Sequence, residues 1–320
     1  MSAIVEMRGL SKQFGQRKAV DNVSLSIEAG EIFGLVGPNG AGKTTTMRML
    51  VTLLRPDRGE TFVGGHSVRK EPQVVRGLIG FMPDVFGVYD NMTVHEYLDF
   101  FGACYHIPAA QRVRLISDLL ELVDIGPRRD DMVDTLSRGL KQRLGLARVL
   151  IHDPAVLVLD EPASGLDPRA RVEVRELLME IARLGKTILF SSHILADVAE
   201  LCSRVGIMED GKLVATGTLE QLSQQMVPHR LVRAAFLNSV SVAQAQAALA
   251  ALPGISAVRQ QEGFVRTDWV ALEAEFNGDD QALRGLLVQL LDKGLPVVHF
   301  SEETHNLEEV FMRATRGLVS

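Results

Sequence analysis

The stretch GPNGAGKTT, residues 37–45, has the spacing G-x-x-x-x-G-K-[ST] and lies between an apolar run, EIFGLV, and a helical run, TTMRMLVTLL. Gly37, Gly40 and Gly42 let the backbone fold tightly enough to turn successive N–H groups inward, with Pro38, Asn39 and Ala41 completing the loop. The positive end of the following helix adds to the same field. Such a loop holds the β-phosphate of a nucleotide. Lys43 would bridge the β- and γ-phosphates, the Thr44 hydroxyl would ligate Mg2+, and Thr45 belongs to the same cradle.

A second stretch, VLVLDE (156–161), is an apolar strand that runs into two acids. Asp160 is thereby expected at the carboxyl edge of a sheet, where open α/β folds bind ligands, and can hold Mg2+ opposite Thr44. Glu161 can then orient an attacking water or take its proton. These parts suit a small-molecule kinase as well as a motor.

Three further pieces carry polar groups at element ends. TLSRGLKQRLGLARVL (135–150) has Ser137 where a helix N-cap belongs, so its hydroxyl and the free N–H groups form a second anion site. ASGLDPRA (163–170) has Asp167 and Pro168 in the cap and first-turn positions of another helix. FSSH (190–193) ends a strand with His193. Taken singly, these are equally a capped helix, a helix start and a core histidine. A last acid, Asp84, follows Pro83 at the end of the strand IGFM. It can bind Mg2+ as a hard oxygen ligand, or it can close the turn by bonding its own backbone.

The elements that must position these residues follow from the patterning. Up to about residue 223, EIFGLVG, AVLVLDE and KTILFSS read as buried parallel strands, each followed by a helix. IVEMRGL and AVDNVSLSIEAG alternate apolar and polar residues, as an antiparallel sheet with one wet face does. Residues 92–152 read as a helical insertion. LSQQMVPHR carries no strong pattern, and 224–229 is taken as a linker. Beyond it, RLVRAAFLN, FVRTDWVALEAEF and PVVHF read as strands, and VAQAQAALAAL and DDQALRGLLVQLLDKG as helices. Asp279 or Asp280 can cap the second helix, and Gly294 can stop it. A last helix, NLEEVFMRAT, opens with Asn306 and Glu309 spaced as a capping box. The order β-α-β-β-α-β-α over 230–320 predicts a small α+β domain of split-βαβ type.

Composition excludes more than it selects. The chain has 320 residues, 46% hydrophobic and 23% charged, with a net charge of −6. It is an ordinary globular composition, with no general attraction to nucleic acid or anionic lipid. No apolar run approaches the roughly 18–20 residues of a membrane span. The start MSAIVEMRGLSKQFG lacks a signal-peptide core. Cys104 and Cys202 form neither a disulfide framework nor a zinc site, which fits a reducing, cytosolic setting.

Together and in this order, the motifs over about residues 3–223 resemble the ATP-binding cassette ATPases. The resemblance implies a P-loop α/β cassette over 1–223, made of a mixed core sheet, an antiparallel β subdomain and a helical subdomain at about 92–152. It implies a homodimer sandwiching two ATP molecules, in which Ser137 and Gly139 reach the γ-phosphate bound by the opposite protomer. In the same way, Ser164–Asp167 would cross the interface, His193 would contact the γ-phosphate, and the Phe14 ring would stack on adenine. Phe14 also suits an ordinary core position beside a turn. Two departures stand out. The usual LSGGQ signature is LSRGL here, with Arg138 and Leu140, and Asp84 stands where the family carries a glutamine facing both Mg2+ and the transmembrane partner.

The tail LEEVFMRAT resembles that of ATPases from ABC-2 type exporters, including antibiotic exporters. The resemblance thus implies an exporter motor at the cytoplasmic face of the membrane, acting on a separate permease, with no nucleic acid partner. Region 84–106 would face that permease, with Val85, Phe86, Val88 and Tyr89 either docking it or serving the helical core. A soluble cassette acting on DNA or ribosomes is the alternative. A small-molecule kinase leaves LSRG and His193 unexplained. The C-terminal domain could be chiefly regulatory or dimerising.

Overall fold

In the computed structural model, which describes residues 3–84, 87, 91–226, 230–260 and 269–303, the chain divides into two units, Met1–Leu219 and Glu220–Ser320. The first unit opens with β1 (Ala3–Phe14) and β2 (Arg17–Glu28), paired antiparallel. Val20, Val23, Leu25 and Ile27 are buried on one face of β2, and polar residues alternate with them, which is why this sheet keeps a wet side. β3 (Ile32–Val36) leads into α1 (Lys43–Leu50), then β4 (Arg58–Val63) and β5 (His66–Ser67) extend the first sheet in the order β2-β1-β4-β5.

After α2 (Pro72–Leu78) and β6 (Ile79–Met82), the chain turns helical: α3 (Val94–Cys104), α4 (Ala109–Leu122) and α5 (Arg138–Leu150). A reciprocal Thr93–Glu96 capping box starts α3, where the Glu96 amide donates to Thr93 Oγ1 at 3.2 Å. The core strands resume with β7 (Val156–Leu159), α6 (Pro168–Arg183), β8 (Thr187–Ser192), α7 (Leu195–Leu201), β9 (Arg204–Glu209) and β10 (Lys212–Gly217).

The second sheet has the order β10-β9-β3-β8-β7-β6 and is parallel except for β9–β10. All four residues of β7 are buried, as a continuous apolar run on a strand covered on both faces requires, each contributing about 1.5–3 kcal/mol. Register decides where the chemistry gathers. Val36 pairs with Ser192, Leu159 with Phe190, and Met82 with Leu159, so β3, β6, β7 and β8 end along one edge. Gly37, Asp84, Asp160 and His193 all follow directly from that edge.

α8 (Leu219–Met226) begins at the boundary in sequence. The stretch expected to be a linker from 224 is therefore helical as far as Met226. Gln and Met are good helix formers, and no breaker intervenes before Pro228. The second unit then runs β11 (Arg230–Leu237), α9 (Val242–Ala250), β12 (Ile255–Gln260), β13 (Trp269–Phe276), α10 (Asp280–Asp292) and β14 (Val297–Glu303). Its sheet is antiparallel in the order β12-β13-β11-β14, the interleaved order of a split-βαβ unit. Phe236, Leu249, Leu272, Phe276, Leu286 and Leu290 form its core. Asp279, not Asp280, caps α10, its Oδ1 accepting from the Ala282 amide at 2.8 Å, and Gly294 follows the helix at φ 72°.

The expected docking residues Val85, Phe86, Val88 and Tyr89 lie outside the described residues, as do the Asn306–Glu309 cap and the tail LEEVFMRAT. Among the described residues no helix is long and apolar enough to cross a membrane, and Cys104 and Cys202 are free.

Candidate active site

The loop between β3 and α1 is shaped by backbone that side chains would obstruct. Gly40 and Gly42 have φ of 84° and 103°, and a Cβ on Gly42 would sit 2.4 Å from the Ala19 carbonyl oxygen. A Cβ on Gly37 would lie 2.3 Å from the Met208 carbonyl. The loop is pinned from behind: Gly211 N–H donates to the Ala41 carbonyl at 3.0 Å, and Arg17 Nη2 donates to the Gly40 carbonyl at 3.0 Å. Lys43 is 6% exposed, and its Nζ donates to the Gly37 carbonyl at 2.6 Å and lies 3.6 Å from Glu161 Oε1. A buried ammonium that close to a carboxylate is held as a point charge at the mouth of the loop.

Asp160 is 2% exposed, and its charge is met by two hydroxyls. Thr44 Oγ1 donates to Asp160 Oδ1 at 3.1 Å and Ser191 Oγ donates to the same oxygen at 2.6 Å. Ser191 Oγ also accepts the Glu161 amide at 2.9 Å, so one hydroxyl at the end of β8 fixes both acids at the end of β7. Glu161 adopts φ 52°, a left-handed conformation that costs a non-glycine residue roughly 1–3 kcal/mol and that clusters at functional positions. His193 is 47% exposed, with Nδ1 2.7 Å from Glu161 Oε2. The core-histidine reading is thereby corrected, since the ring reaches an acid at the sheet edge rather than packing inside.

A cavity of about 420 Å³ gathers the loop, Lys43, Thr44, Glu161, Asp84 and Phe14. Phe14 is 52% exposed at this cavity, with Lys12 Nζ 5.7 Å from its ring centroid, so it is not a core residue. Asp84 is exposed within the same cavity. Thr44, Asp160 and Asp84 are a hard-oxygen donor set, the kind Mg2+ takes, and both hydroxyls bond Asp160 Oδ1 rather than Oδ2. Among the described residues no group of three or more His, Cys, Asp or Glu is placed to hold a metal ion.

Ser137 and Gly139 line a different cavity, also of about 420 Å³, with the loop ending at Asp167. Ser137 caps α5, its Oγ accepting from the Leu140 amide at 3.4 Å. Asp167 caps α6, accepting from the Arg169 and Ala170 amides at 3.0 Å each, with Pro168 at the first helical position. The buried Gln142 side chain donates to the Pro162 carbonyl, tying α5 to the chain just past Glu161. The structure thus gathers Lys43, Thr44, Asp84, Glu161 and Phe14 at one cavity, with Asp160 bonded to Thr44 and His193 to Glu161, and sets Ser137 and Gly139 in another. Sequence reasoning missed Ser191, Arg17 and Gln142. The serine pair in FSSH was the one available signal.

Known proteins agree with this construction. The ABC transporter family matches residues 20–164. The daunorubicin/doxorubicin resistance ATP-binding protein DrrA of Streptomyces peucetius is 33% identical over 97% of this chain and 92% of its own. The Nod factor export ATP-binding protein I of Burkholderia lata is 34% identical over 98% and 97%. A solved ATP-binding subunit of an ABC transporter superposes with a TM-score of 0.63 at 29% identity, covering 69% of this chain and 92% of the other.

Proposed function

The chain belongs to the ATP-binding subunits of ABC transporters and is an ATPase, and from that premise we propose that it is the motor of an exporter. Two copies close around two ATP molecules at the cytoplasmic face of the membrane, and closure drives a separate permease. The export direction is supported by relatives matched over nearly their whole length, a daunorubicin/doxorubicin resistance ATP-binding protein and a Nod factor export ATP-binding protein. Closure can do work only because ATP binds the closed arrangement better than the open one.

The observation that carries the reading is the convergence of Lys43, Thr44, Asp160 and Glu161, with Thr44 Oγ1 3.1 Å from Asp160 and Lys43 Nζ 3.6 Å from Glu161. In the proposed reaction the loop amides and Lys43 bind the β- and γ-phosphates, and Phe14 packs on the base. Glu161 orients the attacking water and accepts its proton, held by Ser191 at its amide and by His193 at its carboxylate. A Mg2+ ion held by Thr44, Asp160 and Asp84 would neutralise charge on the phosphate oxygens. Ser137 and Gly139, remote from this cavity, act on the nucleotide of the opposite copy.

Replacing Glu161 by Gln is expected to lower ATP turnover by about 10²–10⁴-fold while leaving ATP binding intact, so that a closed dimer accumulates. Turnover and dimer mass, measured together, test this. Near-normal hydrolysis would remove Glu161 from the chemistry.

A further inference from the structure

Phe14 is half exposed at the cavity beside α1, and a lone exposed aromatic means little by itself. What sets this one apart is how firmly the backbone around it is held. β1 pairs with β4 only as far as Ser11, opposite Arg58, and its register with β2 slips twice between Leu10 and Gln13. The sheet alone therefore leaves the last residues of β1 weakly specified.

Asp57, just before β4, takes over where that ladder stops. Its N–H donates to the Ser11 carbonyl at 2.9 Å, its Oδ1 accepts from Lys12 Nζ at 2.8 Å, and its Oδ2 accepts the Gln13 N–H at 2.8 Å. One acid thus holds Ser11, Lys12 and Gln13, the run that leads into Phe14. On the far side of the ring, Gln13 Nε2 donates to the Gly15 carbonyl at 2.7 Å. Arg17, opposite Phe14 on β2, donates to the Gly40 carbonyl and so ties the same hairpin tip to the phosphate loop. The Lys12 ammonium lies over one face of the Phe14 ring, 5.7 Å from its centroid, so a stacking partner would take the opposite face.

We infer that Asp57 is a positioning residue for nucleotide binding: it holds the end of β1 so that the Phe14 ring stands beside the phosphate loop as a platform for a flat base. A carboxylate suits this task because it offers two acceptor oxygens, one for the Gln13 N–H and one for the Lys12 ammonium. Asp57 itself touches neither base nor phosphate and acts through the ring. The inference rests on the reading proposed above, in which Phe14 packs on the base of ATP.

The test is a double-mutant cycle on the full chain, with ADP affinity read by titration calorimetry. Phe14→Ala should weaken ADP binding about tenfold, as the loss of one base–aromatic stack does. Asp57→Ala should weaken it about fivefold, and Asp57→Asn, which keeps one acceptor for the Gln13 N–H, about twofold. The double variant should bind ADP no more weakly than Phe14→Ala alone, because the acid acts through the ring. Tripolyphosphate, which has phosphates and no base, should inhibit ATP turnover with the same inhibition constant in every variant. Losses that add in the double variant, or a matching loss of tripolyphosphate inhibition, would overturn the inference, since Asp57 would then act on the loop or on the fold. Parental ADP affinity in Asp57→Ala, with Phe14→Ala impaired, would overturn it and leave the base platform standing. Parental affinity in Phe14→Ala would overturn both.

Discussion

In the cavity beside α1, Lys43 faces Glu161 at 3.6 Å and Asp160 receives two hydroxyl hydrogen bonds. In the cavity beside α5, Ser137 caps its own helix and Arg138 has no partner among the described residues. The first is an internally balanced constellation of acid, base and phosphate cradle. The second is lined by three arginines and three carboxylates, of which Asp124 and Glu173 pair with Arg143 and Asp167 caps α6. On the proposed reading, one part of the chain reacts and the other meets the nucleotide of the opposite copy, and their separation calls for a second copy.

The largest effect is expected at Lys43. Lys43→Ala removes the buried cation of the balanced cavity and should lower ATP turnover about 10²–10³-fold, while α5 and its cavity are untouched. Retained activity in a steady-state ATPase assay would mean that the charge beside α1 is structural. A smaller effect is expected at Asp84. Asp84→Asn keeps a turn-forming side chain and removes one hard anionic oxygen from the first cavity, so the Mg2+ concentration for half-maximal activity should rise about tenfold. An unchanged Mg2+ dependence would assign Asp84 to the turn alone.

How far the sequence could be read follows the same division. The phosphate loop was legible because its geometry is local: Gly40 and Gly42 stand at positive φ in a turn whose spacing fixes where Lys43 and Thr44 point. The caps Ser137, Asp167 and Asp279 were legible for the same reason, since a cap needs only its next few residues. What convergence creates was not. Ser191 binds both Asp160 and the Glu161 amide because β7 and β8 end in register, which no single stretch encodes. Taken alone His193 reads equally as a core residue, and the carboxylate it reaches is visible only once β8 is known to end beside Glu161. The edge strand β12, ISAVRQ, is largely half-exposed and offers little alternation to detect. That Ser137 lies in a cavity of its own is likewise a fact of packing, visible only once α5 and the loop before α6 are in place.

The central claim is that one reaction site takes its chemistry from one copy and its anion-receiving surface from the other. Mixing two inactive proteins, Lys43→Ala and Ser137→Arg, tests it most directly. In a mixed dimer the unmutated phosphate loop of one copy meets the unmutated Ser137 of the other. ATPase activity should therefore return to about a quarter of the parental rate, half the dimers being mixed and each holding one intact site of two. If the mixture stays as inactive as its components, with mixed dimers verified by mass, Ser137 and Lys43 serve the same copy and the account is wrong.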